Sequence, residues 1–244
     1  MTLPIHSIDD LEKVLSAGSP DQRSTGRPFV TVSYAQSIDG SIATKDRRPL
    51  RLSGEASMVL THRLRAACDG ILVGIETVIA DDPQLTVRKV RGSNPQPIVL
   101  DTRLRTPLSS KLLGRRDCRS WVACSPKMTS PAREGDVLRK GAALIHCDLD
   151  ARGRIDLHHL MGMIKKKGIS SLMVEGGARV ITSFILARLV DLFVITISPR
   201  LVAGLQVLEP PRARSNGALA LADIYYEQMG TDMVIWALPD WSGP

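Results

Sequence analysis

Short apolar runs rich in β-branched residues alternate along this chain with segments of helical periodicity. The runs are Phe29–Tyr34 (FVTVSY), Gly70–Val73, Pro97–Asp101 (PIVLD), Ser120–Cys124 (SWVAC), Ala143–Cys147, Ser171–Val174, Asp191–Ile197 (DLFVITI) and Asp232–Ala237 (DMVIWA). Runs so uniformly apolar read as strands covered on both faces. Between them, Gly54–Ala67 reads as a helix with Ser53 as N-cap and Leu60, Leu64 and Ala67 facing inward. Asp156 caps a second helical pattern, in which Leu157, Leu160, Met161 and Ile164 share a face until Gly168 ends it. A third pattern follows Gly177 and runs through Arg188. This alternation specifies an α/β fold with a mostly parallel central sheet and helices on both faces. In such a sheet ligands sit at the carboxyl ends of the strands.

The 244 residues, 43% of them hydrophobic, suffice for one substantial core. No Pro/Gly/Ser-rich linker and no internal repeat divides them. The loop-like run Gly18–Arg27 (GSPDQRSTGR) sets residues 1–26 apart as an N-terminal extension, leaving residues 27–244 as a single domain. Within the extension, Ile8–Leu15 suits a short helix capped by Ser7, with Leu11, Val14 and Leu15 on one face, decorating the edge of the fold.

Polar chemistry concentrates at strand ends. In Gly70–Arg88 (GILVGIETVIADDPQLTVR), a buried strand reaches a turn at Gly74. Thr77, the carboxylates Asp81 and Asp82, Pro83 and Arg88 then follow within a short span. A hydroxyl, carboxylates and a guanidinium on turns beside a sheet can hold a polar, phosphorylated small molecule. Asp101-Thr102 ends another strand, and Glu175-Gly176-Gly177 ends a third while opening a helix. Free N–H groups at such a helix start attract phosphate, and glycine lets a ligand approach the backbone. The same sequence also suits a plain tight turn, but Glu175 there needs a partner. Ser37-Ile38-Asp39-Gly40 reads alone as a turn. Arg65 suits a solvated face or a phosphate clamp, and Arg103 and Arg105 suit a surface loop or a cofactor phosphate. His158-His159 reads as a solvent face.

Other chemistries find little support. No run of eighteen apolar residues spans a membrane, and the N-terminus lacks a signal-peptide layout, so a cytoplasmic protein is expected. Cys68, Cys118, Cys124 and Cys147 have no paired spacing and read as reduced thiols. No CxxC pair, HExxH or HxE with PCxxC occurs, so no metal is expected, and a zinc deaminase module of the usual pattern is excluded. No nucleophile elbow appears. The net charge of +7 is scattered and aromatics are only 4%, which argues against nucleic acid and for attraction of anionic phosphates to a cleft.

Together these pieces resemble one family, the reductase of riboflavin biosynthesis. It occurs as the C-terminal domain of the bacterial bifunctional deaminase-reductase and as stand-alone archaeal and fungal reductases. The likeness runs from Arg27 to about Leu208. It rests on Ser37-Ile38-Asp39-Gly40, Arg51-Leu52-Ser53, Leu64-Arg65-Ala66, the whole Gly70–Arg88 stretch, Ile98–Pro107 (IVLDTRLRTP), Val174–Gly177 (VEGG), Leu189-Val190-Asp191 and Ser198-Pro199-Arg200-Leu201. The resemblance implies a dihydrofolate-reductase-like fold, a homodimer and NADPH as cofactor. The implied substrate is 5-amino-6-(5-phosphoribosylamino)uracil or its 2,5-diamino-pyrimidinone analogue. Its ribosyl group is reduced to ribityl through an open-chain imine that accepts hydride at C1′.

By position, the resemblance implies cofactor contacts at Ala35, Arg51, Gly74, Thr77, Asp81, Thr102 and the helix start formed by Gly176, Gly177, Ala178, Arg179 and Val180. It implies substrate contacts at Pro49, Arg65, Leu85, Arg88 and Glu175. Arg65 and Arg88 would grip the sugar phosphate, and Glu175 would accept from pyrimidine N–H groups. Asp39 is a candidate for proton handling during ring opening, or is structural. Ser41, Ala203-Gly204 and Glu76 depart from the family pattern. No deaminase motif is present, so deamination is expected of another chain. Two rivals stand beside this reading: a reductase of another pterin-like or pyrimidine metabolite, and a non-catalytic basic binding protein.

Overall fold

A computed structural model describes residues 5–17, 26–46, 48, 50–208 and 219–242. Its elements are α1 (Ile8–Ala17), β1 (Phe29–Ser37), β2 (Ser41–Ala43), α2 (Glu55–Ala67), β3 (Gly70–Gly74), α3 (Ile75–Asp81), β4 (Gln96–Leu100), β5 (Trp121–Cys124) and α4 (Pro131–Arg139). There follow β6 (Ala143–His146), α5 (Leu157–Lys166), β7 (Ser171–Val174), α6 (Ala178–Leu186), β8 (Leu192–Ser198), β9 (Leu205–Gln206), β10 (Ala220–Met229) and β11 (Asp232–Asp240).

One nine-stranded sheet in the order β10-β11-β8-β1-β7-β3-β4-β5-β6 organises the molecule. From β8 across to β6 every pairing is parallel. Only β11, between β8 and the edge strand β10, runs against the rest and pairs antiparallel with both neighbours. The mostly parallel α/β architecture expected from the alternation is therefore the one observed. A small ribbon of β2 and β9 lies outside the main sheet.

Successive residues of each strand feed opposite faces. Ile71 and Val73 of β3 join Leu60 and Leu64 of α2 and Val137 of α4 on one side. Leu72 joins Leu160, Met161 and Ile164 of α5 and Phe184 of α6 on the other. The segment expected to precede the fold contributes to the first of these cores, since Ile5, Ile8 and Leu11 are buried in it. Ser7 accepts the Asp10 N–H and starts α1, as its type and place suggested.

Several local expectations are corrected. Ser53 does not cap α2. Its N-cap is Gly54, which has no capping side chain of its own. The work is done from far along the chain: buried Asp232, first residue of β11, accepts the Gly54 N–H at 2.7 Å and the Ser57 hydroxyl. The turn expected after Gly74 is the helix α3, although Ile75, Thr77, Val78 and Ile79 are poor helix formers, so packing overrides propensity. Helix α4 was not anticipated, yet Ser130 accepts the Arg133 N–H and Pro131 stands in its first turn. Strand β10 was also missed. As an edge strand it leaves Ile224, Tyr225 and Tyr226 exposed and shows no clean alternation.

Candidate active site

The tips of β1, β3, β4 and β7 open into a cleft of about 900 Å³. Because these strands are parallel, each delivers its carboxyl end, and the loop after it, to the same side. Ala35 comes from β1, Gly74 from β3, and Thr102 from the turn after β4. The β7–α6 turn supplies Glu175, Gly176 and Gly177. Thr77 and Asp81 of α3, and Ala178, Arg179 and Val180 of α6, complete this wall. Of the expected cofactor residues, all but Arg51 line the cleft. Arg51 is exposed and faces Glu55 at 3.7 Å.

Close approach explains the glycines here. A Cβ on Gly74 would stand 2.6 Å from Val180 Cγ2, and one on Gly176 would stand 2.6 Å from Val180 Cβ. Both positions must be glycine for the first turn of α6 to sit against the end of β3. Gly177 is the N-cap of α6 and brings no side-chain cap, so the amides of that turn face the cleft unmasked by a side chain.

Glu175 has the partner its place demanded. Arg65 donates to it twice, Nε to Oε2 at 2.9 Å and Nη2 to Oε1 at 2.6 Å. The remaining arm of Arg65, Nη1, donates to the Thr86 carbonyl at 3.1 Å. The Arg65 side chain is 9% exposed and that of Glu175 27%. Arg65 is thus committed to holding Glu175 and the Thr86–Arg88 segment. Of the two roles offered for Arg65, burial excludes the solvated face, and three of its five N–H donors are spent on Glu175 and Thr86.

One turn earlier on the same helix face, His62 Nδ1 accepts the Arg88 backbone N–H at 3.0 Å. Burial, aided by the nearby Arg65 and Arg88 charges, pulls this imidazole down to about 4. It is neutral near pH 7, with its proton on the other ring nitrogen. His62 was missed in the sequence because it looks like any helical histidine. Arg88 is exposed, and its guanidinium donates to Thr86 Oγ1 at 2.7 Å. Leu85 is buried with φ +53°, so its side chain belongs to the core rather than to a ligand. Pro49 lies outside the described residues.

Asp39 does not line the cleft. Its carboxylate accepts the hydroxyls of Ser37 and Ser41 and the N–H groups of Val202 and Ala203. These bonds, the Ser37 hydroxyl foremost, hold it well below the usual carboxylate range. A group so engaged clasps the 37–41 turn to the 202–204 segment, the structural one of the two roles offered for Asp39.

The structure adds two arginines that spacing did not reveal and places three residues that it did. Arg152 and Arg154 reach the cleft from the turn before α5. Arg105 crosses to Glu76 at 2.7 Å beside Arg103. Asp101 is buried in the wall. Its Oδ2 accepts the Thr106 N–H and hydroxyl, whereas its Oδ1 has no hydrogen-bond partner. Among the described residues no helix is long and apolar enough to cross a membrane.

Comparisons with known proteins agree with this architecture. Residues 28–235 match the family described as the RibD C-terminal domain. The chain is 37% identical over 188 residues to the 2,5-diamino-6-ribosylamino-4(3H)-pyrimidinone 5′-phosphate reductase of Archaeoglobus fulgidus, covering 73% of this chain and 83% of that protein. The protein of the same name from Methanothermobacter thermautotrophicus is 38% identical over 181 residues, covering 73% and 81%. Among solved structures, the riboflavin biosynthesis reductase Rib7 of Saccharomyces cerevisiae superposes with a TM-score of 0.74 at 29% identity, over 95% of this chain and 100% of that one. Acinetobacter baumannii RibD superposes with a TM-score of 0.79 at 23% identity, a likeness of fold; this chain spans 63% of that longer one.

Proposed function

Because the chain belongs to the RibD C-terminal domain family, we propose that it is the NADPH-dependent reductase of riboflavin biosynthesis that converts a phosphoribosylamino-pyrimidine to its ribityl form. The substrate is the 2,5-diamino-pyrimidinone 5′-phosphate or its deaminated uracil counterpart. The observation that supports this most is Glu175, which lines the cleft beside the start of α6 and is held from behind by the Arg65 fork.

The residues present fit a nicotinamide dinucleotide. Gly74 and Gly176 leave no Cβ where the backbone must come close. The first turn of α6 offers N–H groups to a pyrophosphate. Asp101 Oδ1 is a buried acceptor awaiting a donor, and Thr77 and Thr102 bring hydroxyls to the same wall. The arginines at the rim, Arg103, Arg152 and Arg154 among them, suit the extra phosphate that distinguishes NADPH. When bound, the reduced nicotinamide supplies the hydride.

The protein's own residues bind and orient. Glu175, pinned by the fork, presents fixed acceptor lone pairs to the pyrimidine amino and ring N–H groups. Arg65 holds that carboxylate in one orientation through its two hydrogen bonds. Arg88, held by its backbone to His62, offers a guanidinium for the sugar phosphate. A homodimer in the cytoplasm completes this reading.

Mixing the purified chain with NADPH and each pyrimidine phosphate, and following loss of the near-ultraviolet absorbance of the cofactor, tests the proposal. Oxidation with one of the two substrates is expected. Absence of oxidation with both would overturn it.

A further inference from the structure

Away from the cleft, three donor side chains of different chemistry converge on one face of the sheet. Cys124 ends β5 and His146 ends β6, and the two are register partners on adjacent parallel strands. Register partners project to the same side. Glu134 comes from α4, which packs over that side through Val137. Cys124 Sγ and one ligand atom each from Glu134 and His146 all lie within 4.8 Å of one another.

We propose that Cys124, Glu134 and His146 form a binding site for a borderline transition-metal ion, Zn²⁺ foremost. Thiolate, imidazole and carboxylate are each ordinary ligands of such ions, and three of them leave the fourth tetrahedral position open. Tetrahedral coordination at ordinary zinc–ligand lengths sets donor atoms about 3.3–3.7 Å apart. His146 Nε2 and Glu134 Oε2 already stand 3.3 Å apart. The His146 side chain is 48% exposed, so it can close the remaining gap and gives an ion its access. Thr129 donates its hydroxyl to the other Glu134 oxygen at 2.5 Å and fixes the carboxylate, as outer partners of metal ligands do. On binding, the Cys124 thiol loses its proton to solvent and its sulfur bonds the ion; no redox step is involved.

The site is separate from the cleft but braced against it. Arg133, next to Glu134 on α4, donates to the Leu104 carbonyl at 2.7 Å and to the Thr106 carbonyl at 2.5 Å. The Ser125 N–H donates to the Thr102 carbonyl at 3.2 Å. An ion that ties α4 to β5 and β6 therefore also steadies the 102–106 loop. Its three ligands come from three elements, which is why no motif spacing announces them.

The test is a titration of the full chain, kept reduced by a phosphine, with Zn²⁺ against a chromophoric chelator, and with Co²⁺ followed by absorption. One equivalent should bind, and the Co²⁺ form should show a thiolate charge-transfer band. His146→Ala and Glu134→Gln are each expected to weaken Zn²⁺ binding at least tenfold, Cys124→Ser to abolish the band, and Cys118→Ser to change neither. If Cys124→Ser does not fold, His146→Ala, at a half-exposed position, decides alone. No saturable binding, undiminished binding by His146→Ala, or loss of binding in Cys118→Ser would overturn the proposal.

Discussion

Arg65 and Glu175, 110 residues apart in the chain, meet through two parallel hydrogen bonds of 2.9 and 2.6 Å. The pair joins helix α2 to the turn between β7 and α6. It therefore fixes Glu175 in the wall of the cleft. A forked, largely buried pair resists rearrangement better than a surface ion pair, because each partner would be left unpaired if the other moved.

Glu175→Gln keeps the shape but gives Arg65 a neutral acceptor and puts an NH₂ group where an acceptor stood. Turnover is expected to collapse while the dissociation constant for NADPH changes little. Stopped-flow turnover beside fluorescence titration of the cofactor separates the two. Parent-rate turnover by this variant would remove Glu175 from the chemistry.

Arg65→Met strands Glu175 and releases the Thr86 carbonyl. Bonds to charged groups contribute about 1.5–3 kcal/mol, so a loss of stability of that order is expected in urea unfolding. A variant as stable as the parent would show that the fork is dispensable.

Arg88→Ala is expected to raise the substrate KM by roughly 10- to 150-fold, the worth of one charge-assisted clamp, with little change in stability because the side chain is exposed. Steady-state kinetics at saturating NADPH check this. An unchanged KM would mean that the phosphate is held elsewhere.

Gly74→Ala places a Cβ 2.6 Å from Val180 Cγ2. Overpacking of this kind costs about 1–3 kcal/mol, read here as lower stability and weaker NADPH binding. Val180→Ala removes the obstructing methyl, so the double variant should recover most of the loss. A double variant no better than Gly74→Ala would show that something other than this contact matters.

His62 carries a pH dependence. Its imidazole is lowered from 6.5 to about 4, chiefly by burial. The unfolded chain therefore binds a proton that the folded chain refuses between those values. The associated stability is full above pH 6.5 and drains away as pH falls toward 4. Urea midpoints measured across this window should fall with pH in the parent and fall less steeply in His62→Gln. Parallel slopes would rule out the assignment.

Much of this was legible from one dimension. Uniform apolar runs such as Gly70–Val73 and Ser171–Val174 could only be strands covered on both faces, and Asp156 and Gly168 punctuate α5 where punctuation was expected. The glycines and hydroxyls at strand tips followed from the same logic and do converge on one cleft. What escaped depended on distant partners. Nothing local at Arg65 distinguishes a phosphate clamp from a carboxylate's partner, because Glu175 reaches it only through the sheet order. Asp39 read as either a proton handler or a structural carboxylate, and the Val202 and Ala203 amides that favour the second come from 163 and 164 residues away. Edge strand β10 lacks the buried face that makes other strands conspicuous.

The carboxylate of Asp232 closes the start of α2 from the opening of the last strand. During synthesis, the helix that bears His62 and Arg65 leaves the ribosome long before its cap exists. Its Gly54 amide and Ser57 hydroxyl lack that acceptor until the final hairpin docks. A nascent chain halted short of residue 232 would carry both His62 and Arg65 on a helix whose first turn still lacks its latch.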